Sequence, residues 1–182
     1  ALEEFDGSYL DLTSLARVRA EMIGRQWGLI PLFLPEIKGA VSHRPERTRE
    51  MLALLLPHGT RFWAGACDRD TLFAALDAVD GFGLVGAKFL PYWSNQGMLR
   101  TDAEDVIVSA YARDHRALLI VSNLGDQAKE VSVRVDFGAL GVAPGASAED
   151  ILDGSDASIR NGQVTVTVPL RDFRLVALGG EA

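Results

Sequence analysis

The chain has 182 residues, 48% of them hydrophobic and 24% charged, with a formal net charge of −7. This is the composition of a folded chain that buries a core, not of a disordered one. No apolar run approaches the roughly 20 residues of a membrane-spanning helix, and scattered Lys and Arg in an acidic chain argue against a nucleic-acid partner. A neutral ligand is easier to accommodate.

The start, Ala1-Leu2-Glu3-Glu4-Phe5, lacks both an initiator methionine and the basic and apolar regions of a signal peptide. The chain is therefore expected to begin inside a longer protein, or to have been processed. Residues 13–23 carry Leu15, Val18 and Met22 at helical spacing, with Asp11 or Thr13 as N-cap and Gly24 as stop. Leu29-Ile30-Pro31-Leu32-Phe33-Leu34 is a short continuous apolar run ending at Pro35-Glu36, which predicts a strand covered on both faces. Pro45 suits a first helical turn, and Thr48, Met51, Leu52 and Leu55 form the stripe of a helix that Pro57 and Gly59 end. Residues 60–64 read as a second strand. A third helix follows, capped by Asp70, with Leu72, Ala75, Leu76 and Val79 on one face and Gly81 as its C-cap. Such alternation implies parallel strands, but two strands do not make a covered sheet. Residues 1–86 are thus expected to be the closing part of a larger α/β sheet or barrel.

From residue 87 to 182 the period changes to two. Residues 106–111, 118–121, 131–137, 164–168 and 173–177 alternate or run apolar, and Asn161-Gly162 is a hairpin turn between residues 158–160 and 163 onward. Asn123-Leu124-Gly125-Asp126, Gly138-Ala139-Leu140-Gly141 and Ala143-Pro144-Gly145 separate strands. About seven short strands fit an antiparallel β-sandwich. The predicted fold class is α/β plus all-β, the last βα units of an open parallel sheet or a TIM-type barrel followed by a β-sandwich.

Glu36 follows an apolar strand, and Trp63 ends the next one; the C-terminal ends of parallel strands face substrate. An acid beside an indole suits a sugar ring, accepting hydroxyl hydrogen bonds while the aromatic face packs on C–H groups. Glu36 and Trp63 are therefore candidate substrate-binding residues, against a reading as a loop cap and a packing Trp. Trp93, in the aromatic stretch Phe89-Leu90-Pro91-Tyr92-Trp93, is a third candidate; interface packing is its alternative. Gly81-Phe82-Gly83-Leu84-Val85-Gly86 matches G-x-G-x-x-G, but a helix precedes it and a strand follows, the reverse of a dinucleotide site. His43, His58 and His115 show no metal-ligand spacing and read as solvated, as do the adjacent acids Glu3-Glu4, Glu104-Asp105 and Glu149-Asp150. The lone Cys67 reads as a small semi-buried residue. No cofactor and no metal are expected, and no catalytic residue is assigned.

On Leu29 to Glu36, Phe89 to Trp93, Val108-Ser109-Ala110-Tyr111-Ala112-Arg113, Ala117 to Leu124 and Asp172-Phe173-Arg174-Leu175-Val176, the chain resembles the C-terminal portion of family 123 glycoside hydrolases. The resemblance implies a (β/α)8 barrel followed by a β-sandwich, a carbohydrate partner and an extracellular or periplasmic location, although the residues themselves leave the compartment open. It further implies substrate-assisted hydrolysis of amino-sugar glycosides, in which an Asp-Glu pair orients the 2-acetamido group and donates a proton. No Asp-Glu dipeptide occurs here. The catalytic acids would lie in the upstream part of the same polypeptide, so that this chain completes and braces the barrel and is inactive alone. The rival reading is a non-catalytic carbohydrate-binding or structural β-sandwich module, against which Trp27, Trp63 and Trp93 all precede the strands after residue 102.

Overall fold

The computed structural model describes residues 9–22, 32–37, 39–143 and 145–179. The start of the chain, Gly24, Trp27, Leu29 to Pro31 and Pro144, for which the sequence sets expectations, lie outside them. Two short helices open the described chain, α1 (Tyr9–Leu12) and α2 (Leu15–Met22). The Ser14 hydroxyl accepts the Arg17 N–H at 3.2 Å, so Ser14 caps α2 rather than Asp11 or Thr13.

Two strands, β1 (Leu32–Phe33) and β2 (Arg61–Phe62), pair in parallel, Leu32 opposite Arg61 and Phe33 opposite Phe62. Between them lies α3 (Pro45–Leu55), with proline in its first turn. Its predicted stripe is buried, and so are Glu50, Ala53 and Leu54, because α1, α4 and the large sheet described below close on the helix from several sides. Helix α4 (Arg69–Phe82) follows β2. Asp68, not Asp70, is its cap: from the position before the helix its carboxylate reaches the Thr71 N–H at 2.9 Å. The helix also runs past Gly81 and stops at Gly83, whose φ of +86° is the left-handed turn that ends a helix. The glycine triplet is therefore a helix end leading into a strand.

The β-region holds nine strands among the described residues, more than the seven anticipated. They are β3 (Lys88–Leu90), β4 (Leu99–Arg100), β5 (Val106–Arg113), β6 (Arg116–Asn123), β7 (Lys129–Val135), β8 (Ala148–Asp150), β9 (Ala157–Arg160), β10 (Gln163–Val168) and β11 (Asp172–Leu178). They form two antiparallel sheets, β3-β5-β6-β11-β8 and β4-β7-β10-β9. Phe137, anticipated as the end of a strand, instead starts a helical turn, α5 (Phe137–Leu140), because Asp136 accepts the Ala139 N–H and caps it. Asn161 and Gly162 close the β9–β10 hairpin with φ of 50° and 76°, the pair of positive values that a tight two-residue turn demands.

The five-stranded sheet is covered on both faces. Leu118, Ile120, Phe173 and Leu175 point to the helices, sharing a core with Met51, Leu52 and Leu55. Leu119, Val121, Val176 and Leu178 point to the other sheet and meet Val131, Val133, Val164 and Val166. This is the physical origin of the unbroken run Leu118-Leu119-Ile120-Val121. The four-stranded sheet is covered on one face, and it alternates.

Candidate functional site

Along β1 and the residues after it, exposure alternates. Phe33 and Ile37 are buried, whereas Leu32 and Leu34 are 51% and 47% exposed. The strand is thus covered on one face only, contrary to the two-sided burial anticipated from its apolar run: Phe33 packs on Tyr9 and Phe62, and nothing described covers the leucines. Glu36, half-buried, continues the leucine face by alternation. Its N–H donates to the Tyr9 hydroxyl at 2.8 Å, and the chain there makes a parallel bridge to Ala66, with the Ile37 N–H donating to the Ala66 carbonyl.

On the neighbouring strand Arg61 and Trp63 share that open face; Trp63 is 62% exposed, with its N–H donating to the Phe33 carbonyl at 2.9 Å. A β-carbon at Gly65 would fall 2.5 Å from the Pro35 carbonyl oxygen, so only glycine lets the two chain segments approach here. The structure therefore brings Glu36 and Trp63 to one rim, on adjacent parallel strand ends. A cleft of about 520 Å³ adjoins it, lined by His43 and the loop Gly65 to Asp70. Cys67 at its base is buried, and burial pushes its thiol pKa up, away from nucleophilic use.

Trp93 lies elsewhere. It stacks on His58, 5.7 Å between ring centres, at the opposite, N-terminal end of β2. Phe89, Tyr92 and Tyr111 complete that aromatic group, and the Arg19 guanidinium sits over the Trp93 ring at 5.3 Å. Packing of the helical segment on the sheet accounts for all of these contacts.

His58 is not a solvated turn residue. It is buried, with Nδ1 2.7 Å from the Leu54 carbonyl and Nε2 3.2 Å from the Tyr92 hydroxyl. A carbonyl only accepts, so Nδ1 carries the proton and Nε2 accepts from Tyr92. Burial lowers its pKa from 6.5 to about 4, helped by Arg19 and opposed by the Leu54 carbonyl. The folded state thus refuses a proton that the unfolded chain accepts. The stabilisation is complete above pH 6.5 and is lost progressively as pH falls to about 4, by ~1.4 kcal/mol per unit and ~3 kcal/mol in all. In urea titrations, His58→Gln is expected to flatten the stability slope across this window; an unchanged slope would assign the proton to another group. His43 and His115 are exposed, as anticipated.

In the pair Glu149-Asp150, Glu149 is exposed, as anticipated, but Asp150 departs from its solvated reading. Asp150 is 1% exposed, its Oδ1 accepting the Leu152 and Asp153 N–H groups and its Oδ2 lying 3.4 Å from Arg174 Nε. It belongs to a chain of charges in which Arg49 joins Asp172 and Asp153 at 2.8 and 2.7 Å, and Arg174 joins Asp153 at 2.9 Å. Burial raises the Asp172 pKa despite the attraction of Arg49. These residues are distant in sequence and carry no motif, so only the folded chain reveals them. Among the described residues no group of His, Cys, Asp and Glu is arranged to hold a metal ion.

A family model described as glycoside hydrolase 123, C-terminal domain, matches residues 74–168. The chain belongs to that family. The match begins within α4 and runs to the end of β10, so the family unit takes in the C-terminal part of α4 as well as most of both sheets. No curated protein matches the chain. Among solved structures, it is similar to a putative α-N-acetylgalactosaminidase from Bacillus halodurans C-125, with 16% identity, a TM-score of 0.59, and coverage of 99% of this chain and 44% of that one. A glycoside hydrolase family 30 subfamily 8 xylanase from Clostridium acetobutylicum gives 14% identity, a TM-score of 0.53 and coverage of 82% and 42%. A family 27 β-L-arabinopyranosidase from Geobacillus stearothermophilus gives 15%, 0.53, and 81% and 33%. The likeness is one of fold, and the chain spans less than half the length of each of these proteins.

Proposed function

We propose that this chain completes and braces a carbohydrate-active barrel. Residues 1–86 are the closing βα units of a (β/α)8 barrel, residues 87–182 are the β-sandwich that supports them, and the catalytic acids lie on earlier strands of the same polypeptide. The observation that carries this reading is the half-covered pair β1 and β2. Helices cover one face, and Leu32, Leu34 and Trp63 stand exposed on the other. That is the condition of two barrel strands whose interior neighbours belong to other segments.

On this reading Glu36 and Trp63 sit at the C-terminal, substrate-facing rim, where the carboxylate accepts sugar hydroxyls and the indole packs on the ring. Trp93, at the other end of the strands, serves packing. The substrate class is an amino-sugar glycoside. The test compares the 182-residue chain with the polypeptide extended upstream of residue 1, using an aryl N-acetylhexosaminide. The chain alone is expected to be inactive and the longer polypeptide active. In the latter, Trp63→Ala is expected to raise KM about tenfold or more through the lost ring contact, about 1.4 kcal/mol. Turnover by the chain alone at the rate of the longer polypeptide would overturn the proposal.

A further inference from the structure

The four-stranded sheet turns Leu99, Val133, Val164 and Ile159 toward the core, so the residues beside them on β4, β7, β10 and β9 face solvent. Its register sorts those outward residues into rows. Arg100 stands opposite Arg134, Arg134 opposite Gln163, and Gln163 opposite Arg160. One row across all four strands therefore reads Arg-Arg-Gln-Arg and extends about 14 Å, at about 4.8 Å per strand. All three arginines are exposed. None forms an ion pair with a carboxylate among the described residues, whereas Arg47, Arg49, Arg113, Arg171 and Arg174 all do.

Like charges directly opposite each other destabilise a strand pair, so Arg100 and Arg134 repel each other without a carboxylate at ion-pair distance among the described residues. The next row is made of hydroxyls: Ser132 opposite Thr165, 3.1 Å between oxygens, and Thr165 opposite Ser158. Arg100, Arg134, Gln163 and Ser132 also line a cleft of about 720 Å³, whose lining includes the carboxylates of Asp102 and Glu130 as well. Guanidinium groups bind carboxylate and sulfate oxygens through paired, charge-assisted hydrogen bonds, and hydroxyl and amide groups bind sugar hydroxyls.

The geometry points to this face as a binding site for an anionic oligosaccharide, a sugar chain bearing sulfate or carboxylate groups. A row of spaced cations suits a chain of anions better than one isolated ion. None of the outward residues on the four strands is aromatic, which disfavours single-stranded nucleic acid, whose bases need stacking platforms. The α/β segment packs on the other sheet, so this site is separate from the rim of Glu36 and Trp63. The anion site stands on the arginine row; that a sugar carries the anions rests on the glycoside hydrolase reading.

Calorimetric titration of the 182-residue chain tests it without measuring hydrolysis. The probes are a chondroitin sulfate hexasaccharide, its desulfated and carboxyl-reduced counterpart, inorganic sulfate, and an oligothymidylate of equal charge. The charged hexasaccharide is expected to bind, more weakly as salt rises, and its neutral counterpart to bind at least about tenfold less tightly. Arg100→Ala with Arg134→Ala is expected to weaken the charged sugar by about tenfold or more, at a melting temperature equal to or above that of the parent chain because the facing charges are gone. Absence of binding, equal binding by the neutral sugar, or equal binding by the double variant would overturn the site. Equal affinity for inorganic sulfate or oligothymidylate would overturn its assignment to an anionic sugar. Failure of the hydrolase reading, seen in the separate turnover assay, would leave the arginine-dependent binding measurable.

Discussion

Replacing Phe173 by alanine is expected to lower unfolding free energy by ~3–5 kcal/mol. Phe173 is 0% exposed on β11, on the face that meets α3, and the Arg49 guanidinium lies 4.9 Å from its ring centre. Truncation removes the transfer free energy of the ring and leaves a cavity between a helix and a sheet that neighbouring backbone hydrogen bonds hold in place. The Arg49 stem and charge then lose the aromatic surface beneath them. With a urea dependence of about 2 kcal/mol per molar, the midpoint of equilibrium unfolding falls by about 2 M. A drop of a few tenths of a molar would mean that the helical segment and the sheet do not share the core described above.

The second large effect is expected at the buried charges. Arg174→Met removes the cation nearest to Asp150, which is 1% exposed and whose Oδ2, like Arg174 Nε, has no hydrogen-bond partner among the described residues. The pair at 3.4 Å is therefore held by charge rather than by a hydrogen bond. Leaving one member of a buried pair alone costs ~3–5 kcal/mol. Adding Asp150→Asn removes the stranded charge while retaining an oxygen for the Leu152 and Asp153 N–H groups. The double variant is thus expected to recover more than half of the loss, and the cycle measures the coupling. Equal losses in single and double variants would place the cost in the packing of Arg174 instead. Arg174 also donates to Asp153 at 2.9 Å, so a further test is Asp153→Asn, expected to cost less because Asp153 is more exposed.

Much of the fold was legible because periodicity is local. The stripe of Thr48, Met51, Leu52 and Leu55, the alternation of Val131, Val133 and Val135, and the Asn161-Gly162 turn each state their structure within a few residues. Cap positions were displaced by one to three residues. Asp68 and Asp70 are chemically equal candidates, and only the reach of a carboxylate to the Thr71 N–H separates them. Burial of His58 and Asp150 was not legible, since both stand in turn-rich or acidic contexts that read as solvated, and partners distant in sequence bury them.

The candidate site divides in the same way. That Glu36 and Trp63 terminate two successive strands follows from the chain itself, because apolar runs and their terminating residues are local. That they share one open face, that Trp93 belongs to the other end, and that Leu32 and Leu34 remain uncovered depend on strand pairing and on which face the helices occupy. The arginine row makes the contrast sharpest: Arg100, Arg134 and Arg160 read as scattered charges in an acidic chain. Antiparallel register sets them side by side. Helix, strand and turn were written in local residue patterns, whereas neighbours across a sheet arise only when distant segments pair.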